Sequence, residues 1–113
     1  MTINLWVNGE EYVAHSDKTI DVENPATGEV LASVASGTEK DALAGLDAAS
    51  AAQEDWARTP ARERSEILRR AFDLVQERRE DLALLMTLEM GKPFAEALGE
   101  VTYGGEFLRW FSE

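Results

Sequence analysis

Thr19-Ile20-Asp21-Val22-Glu23-Asn24-Pro25-Ala26-Thr27-Gly28-Glu29-Val30-Leu31-Ala32-Ser33-Val34 reads as two short strands joined by a tight connection. Pro25 fixes φ early in the turn, and Gly28 supplies the conformation that closes it. A second hairpin signal stands upstream, where Asn8-Gly9 separates Leu5-Trp6-Val7 from Glu10-Glu11-Tyr12-Val13. Asn-Gly accommodates the two positive φ values of a type I′ turn. Both hairpins are short and carry little apolar surface, so neither is expected to be stable in water by itself.

Downstream of this region the period becomes helical. Thr38 is placed to N-cap a first helix, with Asp41 at the third helical position completing a capping box. Ala42, Leu46, Ala49, Gln53 and Trp56 fall on one stripe of that helix, which should end near Arg58. Thr59-Pro60 marks a new start, with threonine as cap and proline at the first position. Ile67, Leu68, Ala71, Leu74, Val75 and Arg78 form the expected buried face of the second helix. A third, through Leu82, Leu85, Met86 and Leu88, should stop at Gly91, with Pro93 just beyond. A fourth runs from about Pro93. It has Phe94, Ala97, Val101, Gly104, Leu108 and Phe111 on one side and Tyr103, Phe107 and Trp110 on another. A helix apolar on two faces is normally sandwiched between partners. The pattern therefore predicts an α+β chain, with two hairpins over residues 1–36 and about four helices over 38–113. We read these as one partial domain whose last helix awaits either further chain or a second copy.

Composition excludes several function classes. The 113 residues, 44% hydrophobic and 29% charged, suit one small soluble domain. No apolar run approaches the ~20 residues needed to cross a bilayer. No secretory signal is evident, so a cytoplasmic location and no membrane association are expected. The chain has no cysteine, which rules out a disulfide scaffold and a thiolate nucleophile within it. With 22 acidic and 11 basic residues the net charge is −11, a balance that repels nucleic acid. The arginines are interleaved with glutamates, as on a solvated helix surface laced with ion pairs.

The search for chemistry within the chain is mostly negative. Tyr103-Gly104-Gly105 sits in a helical pattern and lacks the strand that precedes a dinucleotide-binding turn. His15 is the single histidine and reads as a surface residue in a polar turn. Glu96 and Glu100, one turn apart, read as a solvated face.

Four stretches together are more specific. Asn24 to Leu31 (Asn-Pro-Ala-Thr-Gly-Glu-Val-Leu) resembles the opening hairpin of the aldehyde dehydrogenase superfamily. Trp56 to Arg70 resembles that superfamily's next two helices. Leu84 to Pro93 (Leu-Leu-Met-Thr-Leu-Glu-Met-Gly-Lys-Pro) is similar to its glutamate-x-glycine-lysine-proline stretch, and Glu100 to Phe111 to the helix that follows. Within the superfamily the Glu-Met-Gly-Lys-Pro form and the aromatic fourth helix look most like the succinate-semialdehyde dehydrogenase branch.

The resemblance implies a place for this chain. It would be the first part of an α/β, Rossmann-like nucleotide-binding domain. The whole enzyme would use NAD or NADP to oxidise an aldehyde to the acid, through thiolate attack, hydride transfer and thioester hydrolysis. The family's catalytic cysteine, general-base glutamate, oxyanion asparagine and cofactor-binding lysine lie further along its chain. No catalytic residue and no bound cofactor are therefore expected here. Two lesser roles carry over: Glu100, Tyr103 and Phe107 would border the aldehyde entry tunnel, and Glu89, with a backbone carbonyl near Val22, would help bind a monovalent cation. The implied partners are the remainder of the enzyme, further copies in a homo-oligomer, and the aldehyde. The rival reading is a stand-alone helical module that binds a protein through its apolar fourth helix.

Overall fold

The computed structural model describes residues 2–113, which group into two compact units. The first comprises the described residues up to Glu23 together with Gly28–Arg58. Its strands are β1 (Thr2–Ile3), β2 (Leu5–Val7), β3 (Glu10–Tyr12), β4 (Thr19–Glu23) and β5 (Val30–Ala35), followed by helix α1 (Glu39–Arg58). β2 and β3 form the expected hairpin, pairing Leu5 with Tyr12 and Val7 with Glu10. Asn8 (φ 56°) and Gly9 (φ 77°) have the two positive φ values that a type I′ turn requires. β4 and β5 pair antiparallel from Thr19↔Ala35, with an irregularity between Val22 and Glu23. The sequence reading missed β1, which pairs parallel with β5 through Thr2↔Ser33 and Ile3↔Val34 and makes a three-stranded sheet in the order β1-β5-β4.

Helix α1 starts with the predicted capping box. The Thr38 backbone N–H donates to Asp41 Oδ2 (2.6 Å), and the Asp41 N–H approaches Thr38 Oγ1 (3.4 Å). The stripe read from the sequence is not the buried side of α1. Ala42, Leu46, Ala49, Gln53 and Trp56 are exposed, while Asp41 is buried and Ala44, Gly45 and Ala48 are half-buried. The physical reason is length. A 20-residue helix runs about 30 Å, whereas β2, the strand it meets, has three residues and spans roughly 10 Å.

The second unit comprises Asn24–Thr27 and Thr59–Glu113. Its turn is closed by Asn24, whose Oδ1 accepts from the Ala26 N–H (2.9 Å) and whose carbonyl accepts from the Thr27 N–H (3.2 Å). The helices are α2 (Ala61–Glu77), α3 (Arg79–Met90) and α4 (Phe94–Ser112). Pro60 (φ −52°, ψ 140°), rather than Thr59, holds the capping position of α2, and its carbonyl accepts from the Arg64 N–H. α3 ends as expected on Gly91, in the left-handed region at φ 79°. α2 and α3 both pack on α4.

The core is small. Ala83, Ala97 and Val101 are buried, with Val75, Leu82, Met86 and Leu98 packed around them. The Ser65 hydroxyl donates to the Ser112 carbonyl and ties α2 to the end of α4. Two positions of the buried face expected for α2, Ile67 and Arg78, are instead exposed. Ala83, Gly105 and Ser112, on α3 and α4, are buried. At a helix crossing the neighbour selects for small size, whereas periodicity registers only apolar character. A Cβ on Gly105 would meet Gln76 Nε2 at 3.1 Å and Val75 Cγ1 at 3.5 Å. Among the described residues no helix is long and apolar enough to cross a membrane.

Candidate functional site

Glu100, Tyr103 and Phe107 are spaced three and four residues apart, so α4 sets them on one side. Tyr103 and Phe107 meet edge to face, with ring centroids 5.2 Å apart and planes at 87°. Neither is covered: Tyr103 is 71% exposed and Phe107 52%. Trp110 (75%) and Phe111 (69%) continue the aromatic surface, and with Glu106 they line an open groove on the helix. Glu100 is engaged, since the Lys92 ammonium donates to its Oε1 from the turn between α3 and α4. The lysine side chain is only 20% exposed. This surface offers apolar contact and one paired carboxylate, but no nucleophile.

Lys92 escaped the sequence reading because the pair spans eight residues and crosses a turn, outside the helical spacings that register from sequence alone. Glu96, the expected neighbour of Glu100 on a solvated face, is exposed.

The first unit holds a cluster that the sequence reading also missed. His15 does lie at the surface, with half its side chain exposed, but it is tightly partnered. Its Nδ1–H donates to Asp41 Oδ1 at 2.5 Å, its backbone N–H reaches the same carboxylate, and the Tyr12 hydroxyl lies 3.2 Å from Nδ1. Asp41 also accepts from the Thr38 hydroxyl (2.8 Å). The hydrogen bond from His15, aided by those from Thr38 and opposed by burial, holds the Asp41 carboxyl far below its usual range. Burial, with the negative charge of Asp41, pushes the Tyr12 phenol up. An imidazole, a carboxylate and a phenol resemble a relay, but the nearby Ser16 hydroxyl donates to the Ser36 carbonyl instead (2.7 Å). The cluster fastens the segment after β3 to the start of α1.

The two expected cation ligands fall in different units: Val22 is half-buried in β4, and Glu89 is exposed near the end of α3. Among the described residues no group of three or more histidine, aspartate or glutamate side chains could hold a metal ion. Nor do the paired glycines form a dinucleotide-binding turn. Gly104 and Gly105 lie inside α4 rather than in a loop after a strand, and Gly105 is packed against α2.

Comparison with known proteins gives a consistent neighbourhood. The aldehyde dehydrogenase family model matches residues 12–113. A succinate-semialdehyde dehydrogenase of Paenarthrobacter nicotinovorans is 71% identical over 84 residues, which are 74% of this chain and 19% of that protein. The NADP(+) succinate-semialdehyde dehydrogenase GabD of Escherichia coli K12 is 47% identical over 107 residues, covering 95% of this chain and 22% of the relative. A crystal structure described as an E. coli NADP-dependent enzyme superposes with a TM-score of 0.94 at 44% identity, over 98% of this chain and 23% of its own. The chain thus spans about a fifth of the length of the curated relatives it matches.

Proposed function

Because this chain belongs to the aldehyde dehydrogenase family, we propose that it serves as the N-terminal scaffold of an enzyme that oxidises an aldehyde to the carboxylic acid with NAD or NADP. The observation that carries this reading is the family match over residues 12–113 of a chain without cysteine. The family's chemistry needs a thiolate, so the reacting groups must come from elsewhere. Succinate semialdehyde is the first substrate to test, because two relatives act on it by name. The whole enzyme would work in the cytoplasm as a homo-oligomer. When bound, the nicotinamide cofactor would accept the hydride. The residues of this chain would not cradle it and would take no part in the hydride transfer.

What these residues would do is bind. Glu100, Tyr103 and Phe107 would form one wall of the passage by which the aldehyde enters, the aromatic rings shielding it from water. Glu89 would contribute its carboxylate to a monovalent cation, a role tested by whether Glu89→Gln alters the potassium dependence of activity.

The test has two arms. Supplied with succinate semialdehyde and either cofactor, the 113-residue chain should give no nicotinamide reduction; measurable turnover would overturn the scaffold reading. In the enzyme that contains this chain, Phe107→Ala should raise KM about three- to tenfold, the usual effect of trimming an apolar pocket. A second reading is favoured by one observation, the exposure of Tyr103, Phe107, Trp110 and Phe111. There the aromatic side of α4 would bind a separate protein, and Phe107→Ala would leave KM for the aldehyde untouched.

A further inference from the structure

Lys92 stands in a turn whose two flanks have fixed backbone. Gly91 before it is left-handed at φ 79°, and Pro93 after it has φ −54° and ψ 136°. From that position the lysine crosses to α4 and pairs with Glu100. Lys92 is the single lysine of the helical unit; Lys18 and Lys40 both belong to the other. On α4 and at its C-terminal cap the charges are Glu96, Glu100, Glu106, Arg109 and Glu113. Arg109 is already shared between Glu106 (3.6 Å) and Glu113 (3.5 Å). Without Lys92, the side of α4 that carries Tyr103 and Phe107 would present an uncompensated carboxylate, on a chain whose net charge is already −11.

We propose that Lys92 is a positioning residue that neutralises Glu100, and so lets aldehydes that carry an anionic group at the far end pass as readily as neutral ones. This rests on the reading above that Glu100, Tyr103 and Phe107 border the aldehyde passage. The Lys92 ammonium holds the Glu100 carboxylate turned toward the α3–α4 turn and cancels its field along the aromatic rings. An aldehyde bearing a carboxylate then passes without repulsion. A neutral aldehyde is indifferent to that field, so the pair acts on the ratio between the two substrates.

The experiment measures kcat/KM for succinate semialdehyde and for butanal, a neutral aldehyde of the same length, in the enzyme that contains this chain. Lys92→Met should lower the anionic-to-neutral ratio about three- to tenfold, the effect of a unit charge several ångströms away in a medium between protein surface and water. The loss should lie mainly in KM and shrink at high salt. Lys92→Arg should keep the ratio, and the double variant Lys92→Met/Glu100→Gln should restore it. If Lys92→Met weakens both substrates equally, or if the double variant fails to restore the ratio, the pair merely holds the turn and the proposal falls. Phe107→Ala separates this from the failure of the underlying reading. If it leaves KM unchanged for both aldehydes, the passage is elsewhere and the proposal falls with it. If it raises both KM values while the Lys92 series leaves the ratio constant, the passage stands and only charge compensation is lost.

Discussion

Gly91 is constrained twice. Its φ of 79° disfavours any Cβ, and a Cβ built there would stand 3.0 Å from Pro25 Cγ, so the turn at Asn24–Thr27 depends on its absence. Gly28 carries the first constraint without the second, with φ 74° and open space around it. Gly28→Ala should therefore cost about 1 kcal/mol, the strain of a side chain in the left-handed region. Gly91→Ala should cost about 2–3 kcal/mol, because the proline ring must also shift. Denaturant midpoints of the two variants check this, and equal losses would mean that Pro25 is not tightly seated. Asp41 gives a prediction with a sign. Its carboxyl is held below the ordinary value of 3.8, chiefly by His15. A depressed folded-state pKa stabilises the fold above the unfolded value, and that stabilisation disappears as pH falls through the folded value. The midpoint of thermal unfolding should thus fall on acidification below about pH 4. Asp41→Asn should lower the midpoint at neutral pH and flatten this acid slope; an unchanged slope would locate the titrating group elsewhere.

At the scale of elements, the crossing of α2 and α4 turns on Gly105, which lies against Val75 and Gln76, while its neighbour Gly104 has nothing within 4 Å. Gly104→Ala should stabilise the 113-residue chain by about 0.5–1 kcal/mol, the gain in helix propensity. Gly105→Leu should destabilise it by about 2 kcal/mol or more, since the helices must part. Thermal unfolding of both variants distinguishes a close crossing from a loose one. The same pair shows what sequence alone conveys. Turn chemistry is local, so Asn8-Gly9, the Asn24–Gly28 connection and Gly91 were legible, as were the number and approximate ends of the helices. Which face of each helix turns inward depends on a partner at long range. Ile67 and Arg78, expected on the buried face of α2, were therefore misplaced, and the stripe read on α1 is not its buried side. β1 carries no signal of its own, because its two residues become a strand only by pairing with β5. At the candidate site, the common side of Glu100, Tyr103 and Phe107 followed from helical spacing. The partners Lys92 of Glu100 and His15 of Asp41 did not, since both pairs join segments that meet only in the fold.

For the whole molecule, the question is what such a small core can sustain. Among the described residues the buried apolar ones are Ala83, Ala97 and Val101, and no large side chain is fully buried. Against this stand Tyr103, Phe107, Trp110 and Phe111, each more than half exposed along one helix. Monomeric proteins rarely leave a contiguous aromatic surface of this kind in water. Its burial between copies would return about 25 cal/mol for each Å² covered. The net charge of −11 opposes that association, and the opposition is screened by salt. The 113-residue chain should consequently self-associate with rising concentration, and more strongly at high ionic strength than at low. Trp110→Glu combined with Phe107→Glu should shift it back toward the monomer, by placing two like charges where the apolar contact would form. Sedimentation velocity at two salt concentrations reads all three expectations. A chain that stays monomeric at high concentration in both salts would show that the aromatic side of α4 does not drive association, and that its exposure is tolerated in water.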